Sequence, residues 1–85
     1  MTLALQRALV LDPALGDIIQ GSGGIRKIRW AAKGYGKSGG ARIIYYWAVA
    51  HETILMLAVY PKNVKADLTR DELKRLRRVV EKEYP

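Results

Sequence analysis

The chain has 85 residues, with 15 Lys or Arg against 8 Asp or Glu, a formal charge of +7 and 49% apolar residues. That length allows one small domain with a thin core. The absence of cysteine excludes disulfides, thiolate metal sites and a cysteine nucleophile together, and the single histidine, His51, excludes a multi-histidine metal site within one chain.

The charge predicts a polyanionic partner: nucleic acid, an anionic membrane or an acidic protein. No apolar run reaches the roughly 20 residues that a membrane span needs. Met1 is followed by a short amphipathic stretch rather than a secretion signal. The expectation is a soluble, cytoplasmic protein.

Leu5, Ala8, Leu9 and Asp12 fall at three-to-four spacing, bordered by Gln6 and Arg7, and predict a helix over about 2–11. Asp12-Pro13 ends it, because the residue before a proline is pushed out of the helical region. Residues 14–24 read as a connector, with Ile18 and Ile19 tucked on the core and Gly21-Ser22-Gly23-Gly24 as a turn. A strand is expected over about 25–32. Its alternation places Ile25, Lys27, Arg29 and Ala31 on one face and Arg26, Ile28, Trp30 and Ala32 on the other.

The glycine-rich run KGYGKSGG, residues 33–40, reads as a loop carrying Lys33 and Lys37. A second strand follows over about 42–50, rich in β-branched and aromatic residues. A third spans about 53–60, with His51-Glu52 as a tight turn between them. Ile54 to Val59 is apolar on both faces, which predicts a central position in an antiparallel meander. A polar connector with Lys62, Asn63 and Lys65 leads to a helix over about 70–83. Thr69 and Glu72 form its capping box, and Leu68 before the cap can staple to Leu73. Leu73, Leu76, Val79 and Val80 make the expected buried stripe, opposite Lys74, Arg75, Arg77, Arg78 and Lys82. The fold class is therefore α+β, a small antiparallel sheet with an N-terminal helix packed on it and a C-terminal helix, in a single domain over 1–85.

Inventory removes several chemistries. The carboxylates show no metal-ligand spacing. Neither Ser22 nor Ser38 sits in the elbow that a serine nucleophile paired with His51 would need. Gly36-Lys37-Ser38 lacks the upstream glycine and the following helix of a phosphate-binding P-loop. What remains is cationic. Residues 23–47 hold Arg26, Lys27, Arg29, Lys33, Lys37 and Arg42 without one acidic residue, next to Trp30, Tyr45, Tyr46 and Trp47. Such a set can neutralise phosphates, stack bases and stabilise a pentavalent phosphorane. Arginine cannot act as a base at ordinary pH, so proton transfer would fall to a lysine or a tyrosine. The plain alternatives are a solvated face for Arg26, Lys33, Lys65, Lys74 and Arg75, core positions for Trp30, Tyr45 and Trp47, and a surface role for His51.

Taken together, GGIRKIRW, GKSGGARIIYYW, the apolar strand closing on Tyr60-Pro-Lys-Asn and the segment from Asp67 through Glu72 resemble the RelE/HigB-type toxins of type II toxin-antitoxin systems. The upstream run Leu9 to Ile19 is similar to that family too, and the glycine-loop version is similar to its HigB branch. The resemblance implies a helical hairpin on a four-stranded antiparallel sheet, and an endoribonuclease that cuts mRNA on the ribosome by attack of a 2′-hydroxyl on the adjacent phosphate. It implies no metal and no other cofactor, and as partners a cognate antitoxin, mRNA and the ribosome. Carried over by position, the catalytic set is Lys27, Arg29, Arg42 and Lys62, with Arg26, Lys33, Lys37 and Tyr46 as RNA contacts. Where the family favours a tyrosine or a second arginine after the last strand, Asn63 and Leu68 stand instead.

The family usually begins with a strand and a first helix ahead of the helix ending in Leu-Asp-Pro. The resemblance therefore implies a chain that begins within that second helix, with an exposed sheet edge and apolar surface covered in a homodimer or by an antitoxin segment. Two other readings stay open: a catalytically inactive toxin-fold module that binds antitoxin or RNA, and a ParE-like poison of DNA gyrase. Growth arrest with mRNA cleavage, arrest with DNA damage, or no arrest would separate the three.

Overall fold

A computed structural model describes residues 3–31, 40–62, 64–65 and 67–85; Lys33, Lys37 and Asn63 lie outside the described residues. The elements are α1 (Leu3–Leu11), β1 (Asp17–Ile18), β2 (Ile25–Trp30), β3 (Ala41–Ala48), a 3-10 turn (Val49–His51), β4 (Thr53–Pro61) and α2 (Arg70–Glu83). The four strands form one antiparallel sheet in the order β1-β2-β3-β4. The α+β class, the meander and both helices stand as the periodicity indicates.

Strand alternation divides the sheet into two faces, each covered by one helix. On the first, α1 sets Leu5 and Leu9 against Ala41, Ile43 and Tyr45, with Ile28, Trp30, Ile54 and Met56 around them. On the second, α2 lays Leu73, Leu76 and Val80 over Ile25, Ile44, Tyr46, Leu55 and Leu57. Burying a large aliphatic or aromatic side chain is worth about 1.5–3 kcal/mol, so Tyr45, Leu5, Leu9, Ile25 and Ile44, all nearly inaccessible, hold the layers together.

Tyr45 also fastens the connector after α1. Its hydroxyl accepts from the Gly16 N–H at 2.8 Å and donates to the Pro13 carbonyl at 2.8 Å. Gly16 is required there, since a Cβ would lie 2.9 Å from both the Lys27 carbonyl oxygen and the Tyr45 ring. Buried Ser22 closes the next turn, its Oγ donating to the Ile19 carbonyl at 2.5 Å and accepting from the Ile25 N–H at 3.0 Å.

Several details differ from the sequence expectation. Residues 17 and 18 leave the connector to form the short edge strand β1 on β2, which turns Ile18 outward while Ile19 packs on the core. Ile54 to Val59 lies in β4 at the other end of the strand order, not at the centre. Its two apolar faces are explained by the helices: Ile54 and Met56 serve the α1 layer, Leu55 and Leu57 the α2 layer. A register shift between Ile44 and Tyr45, paired with Ala58 and Met56, leaves Leu57 as the extra residue of a bulge. The β3–β4 connection is a 3-10 turn completed by Glu52 in the left-handed region, φ 50°, rather than a two-residue turn. In α2, Val79 is 45% exposed and Val80 carries the burial.

The outer edge of β4 has no strand neighbour among the described residues. Beside it, Leu9, Val10, Pro13, Trp47, Ile54 and Met56 line an open apolar groove of about 850 Å³ between α1 and the sheet. Among the described residues no helix is long and apolar enough to cross a membrane.

Candidate active site

The face that α2 covers changes character along its length. At one end Ile25, Tyr46 and Leu55 lie in line across three strands, and the next line is Lys27, Ile44 and Ala58. The last is Arg29, Arg42 and Tyr60. Opposed residues of an antiparallel pair share a face. Lys27, Arg29 and Arg42 are therefore brought together by register, toward one end of the sheet, beside Ala58 and Tyr60 at the margin of the α2 layer.

Arg29 and Arg42 are direct cross-strand partners. Like charges so placed are destabilising. Neither is in a direct ion pair among the described residues, where the pairs are Lys27–Asp67, Lys65–Glu72 and Arg77–Glu81, although Asp67 lies close enough for Arg42 to help lower its pKa. Arg42 Nε and the Tyr60 hydroxyl are buried without a hydrogen-bond partner among the described residues. Tyr60 itself is 7% exposed, and burial first, then Asp67, pushes its hydroxyl pKa up while Arg42 pulls it down. Among the described residues, the site thus holds hydrogen-bonding capacity that is not used.

The connector from β4 to α2 passes beside this row and is held at both ends. Lys62 N–H donates to the Gly40 carbonyl at 3.3 Å, and Val64 N–H to the Pro61 carbonyl at 3.2 Å. Gly40 has φ +70°, and any Cβ there would meet the Trp30 carbonyl oxygen at 2.2 Å, so only glycine brings the chain back into β3 this closely. At the far end Thr69 caps α2: its Oγ1 accepts from the Glu72 N–H at 3.1 Å, and Glu72 accepts from the Thr69 N–H at 2.9 Å. Glu72 also pairs with Lys65, whose Nζ stands 5.1 Å from the Tyr60 ring centroid. The Lys65 contact, followed by the Thr69 backbone, lowers the Glu72 pKa to about 2. Between these anchors Asp67 accepts from Lys27 Nζ at 2.5 Å, a contact that lowers its own pKa.

Of the residues singled out in the sequence, Lys27, Arg29 and Arg42 share one face, and the backbone of Lys62 follows β4 at the same end of the sheet. Arg26 lies on the opposite face, where its guanidinium donates to the Gly16 carbonyl at 2.8 Å and ties the connector after α1 to β2. Tyr46 lies two lines away from Arg42, packed in the α2 layer with its ring 6.0 Å from that of Tyr84. His51 rests on Tyr84 at 4.9 Å. Sequence reading missed Tyr60 and Asp67. Tyr60 could have been reached by extending the register one strand further from Arg42, whereas nothing local marks Asp67, which meets Lys27 across 40 residues of chain.

A four-stranded antiparallel sheet between two helices, with a cation row at the open end of one face, defines a small basic α+β protein. A family model described as the RelE toxin of the RelE/RelB toxin-antitoxin system matches residues 9–84. The chain belongs to that family of toxins, and membership implies an antitoxin as its partner.

Proposed function

We propose that the chain is a ribosome-dependent mRNA endoribonuclease that stops translation, with Lys27, Arg29, Arg42 and Lys62 acting on the scissile phosphate. The observation that carries this reading is the opposed Arg29–Arg42 pair, without a direct ion pair among the described residues, beside Arg42 Nε and the Tyr60 hydroxyl, which have no hydrogen-bond partner there. Two arginines opposed on neighbouring strands are unfavourable in the empty protein and favourable around a phosphodiester, where the charge grows as the phosphorane forms.

In the reaction the RNA 2′-oxygen loses its proton and bonds to phosphorus, and the bond to the 5′-oxygen breaks. That oxygen leaves with a proton, giving a 2′,3′-cyclic phosphate and a 5′-hydroxyl. Lys27, Arg29 and Arg42 stabilise the equatorial charge, and Lys62 reaches the phosphate from the end of β4. Proton transfer falls to a lysine or tyrosine of the site, because arginine stays protonated. Arg26, Lys33, Lys37 and Tyr46 remain expectations for RNA contact; of these, Arg26 and Tyr46 have structural partners in the free protein. The implied setting is the cytoplasm, where ribosome and antitoxin are met.

Expression in bacteria with and without the paired change Lys27→Ala and Arg42→Ala tests the reading. Growth arrest with cuts inside codons of translated mRNA, abolished by the paired change, is the expected result. Arrest with DNA damage and intact mRNA would overturn it.

A further inference from the structure

The ion pair between Lys27 and Asp67 is not a structural staple. The Asp67 side chain is 68% exposed and that of Lys27 is 32% exposed; solvent screens exposed pairs of this kind so that they add little to stability, and the connector is already fixed by the Gly40 and Pro61 carbonyls, the Lys65–Glu72 pair and the Thr69 cap. Those anchors nevertheless deliver a carboxylate onto the lysine of the cation row, at 2.5 Å. A carboxylate oxygen and a phosphate oxygen accept the same charge-assisted hydrogen bonds from the same donors at similar lengths. Of the three cations sharing the face, Lys27 alone has an ion-pair partner among the described residues.

We propose that Asp67 is a built-in competitor for phosphate: it occupies the place on Lys27 that a phosphodiester oxygen takes, and must be displaced for RNA to bind. Resting on the ribonuclease reading, this makes Asp67 a selectivity residue. Free RNA at low concentration has to displace the carboxylate. RNA held in place by the ribosome arrives at an effective concentration high enough to do so.

The test is binding of a non-cleavable oligoribonucleotide, 2′-O-methylated throughout, to the whole chain and to Asp67→Asn, by fluorescence anisotropy over a range of salt. Removing one carboxylate raises the charge of any variant by one, so Glu83→Gln at the end of α2 serves as the charge-matched control. The expected result is binding roughly two- to fivefold tighter for Asp67→Asn than for Glu83→Gln, with a salt slope steeper by about one counterion. The gain disappears when Lys27→Ala is added to both. Equal binding of the two variants, or weaker binding by Asp67→Asn, overturns the proposal.

Inorganic pyrophosphate, titrated in parallel, separates this proposal from the RNA reading. Pyrophosphate bound more tightly by Asp67→Asn while no form binds the oligonucleotide upholds the competitor and overturns RNA as the ligand. No difference between the variants with either probe overturns the competitor.

Discussion

Arg29 and Arg42 face each other across β2 and β3, and neither has a direct ion-pair partner among the described residues. A stability-driven sequence would place an acid or a β-branched residue at one of the two positions. Replacing either arginine by Thr should leave stability to urea unchanged or raised by a few tenths of a kcal/mol. The same change in Arg42 should lower the rate of RNA cleavage by about two orders of magnitude, the scale of one lost transition-state contact. Denaturation midpoints and single-turnover rates on the same preparations check both halves.

The Tyr60 hydroxyl is a buried polar group without a described partner, which costs about 1–3 kcal/mol when nothing compensates. Tyr60→Phe keeps the ring against Leu73 and Leu76 in the α2 layer and removes that cost, so the variant should unfold at a higher urea concentration. Cleavage should fall, because one unspent hydrogen bond is taken from the proposed phosphate site. A less stable variant with undiminished cleavage would show that the hydroxyl is satisfied in solution and idle in the site.

Glu72 links the α2 cap to Lys65, and its folded pKa, about 2, lies below the ordinary 4.5. A depressed carboxylate pKa contributes stability that is fully present above the unfolded value and lost as pH falls through the folded one. Glu72→Gln should therefore destabilise the chain at pH 7. Its midpoint should converge on that of the unchanged protein as pH drops from 4.5 toward 2. Urea titrations at a series of pH values read the convergence directly.

Tyr45 joins β3 to the connector through Gly16 and Pro13 while filling the α1 layer. Tyr45→Phe keeps the packing and strands the Gly16 N–H, at a cost of about 1–3 kcal/mol. Amide exchange of Gly16 should accelerate well beyond that of Ile44 at the centre of the sheet. Equal acceleration at both sites would mean that the bond is not local to the connector.

Much of this arrangement was legible in the chain because the relevant signals are short-range. The alternation of residues 25–30 placed Lys27 and Arg29 together, and the Thr69–Glu72 spacing located the start of α2. Where meaning depended on a distant element, sequence reading failed. The apolar run of β4 looks central until both helices are seen to cover it, and two residues of β1 are too few to show a period. Tyr60 joins the site only through its pairing with Arg42, and Asp67 only through the path of the connector. Arg26 resembles its cationic neighbours in sequence, yet strand alternation sends it to the Gly16 carbonyl on the other face.

The most direct measurement is the chemistry at the cut end of an mRNA incubated with the purified chain on programmed ribosomes. Mass spectrometry should find a 2′,3′-cyclic phosphate at the 3′ end of the upstream fragment, within the codon in the A site, and a 5′-hydroxyl on the downstream fragment, both absent with Arg42→Ala and absent without ribosomes. Intact mRNA in the presence of a folded chain that still arrests growth would contradict the assignment of the Lys27, Arg29 and Arg42 row to RNA cleavage.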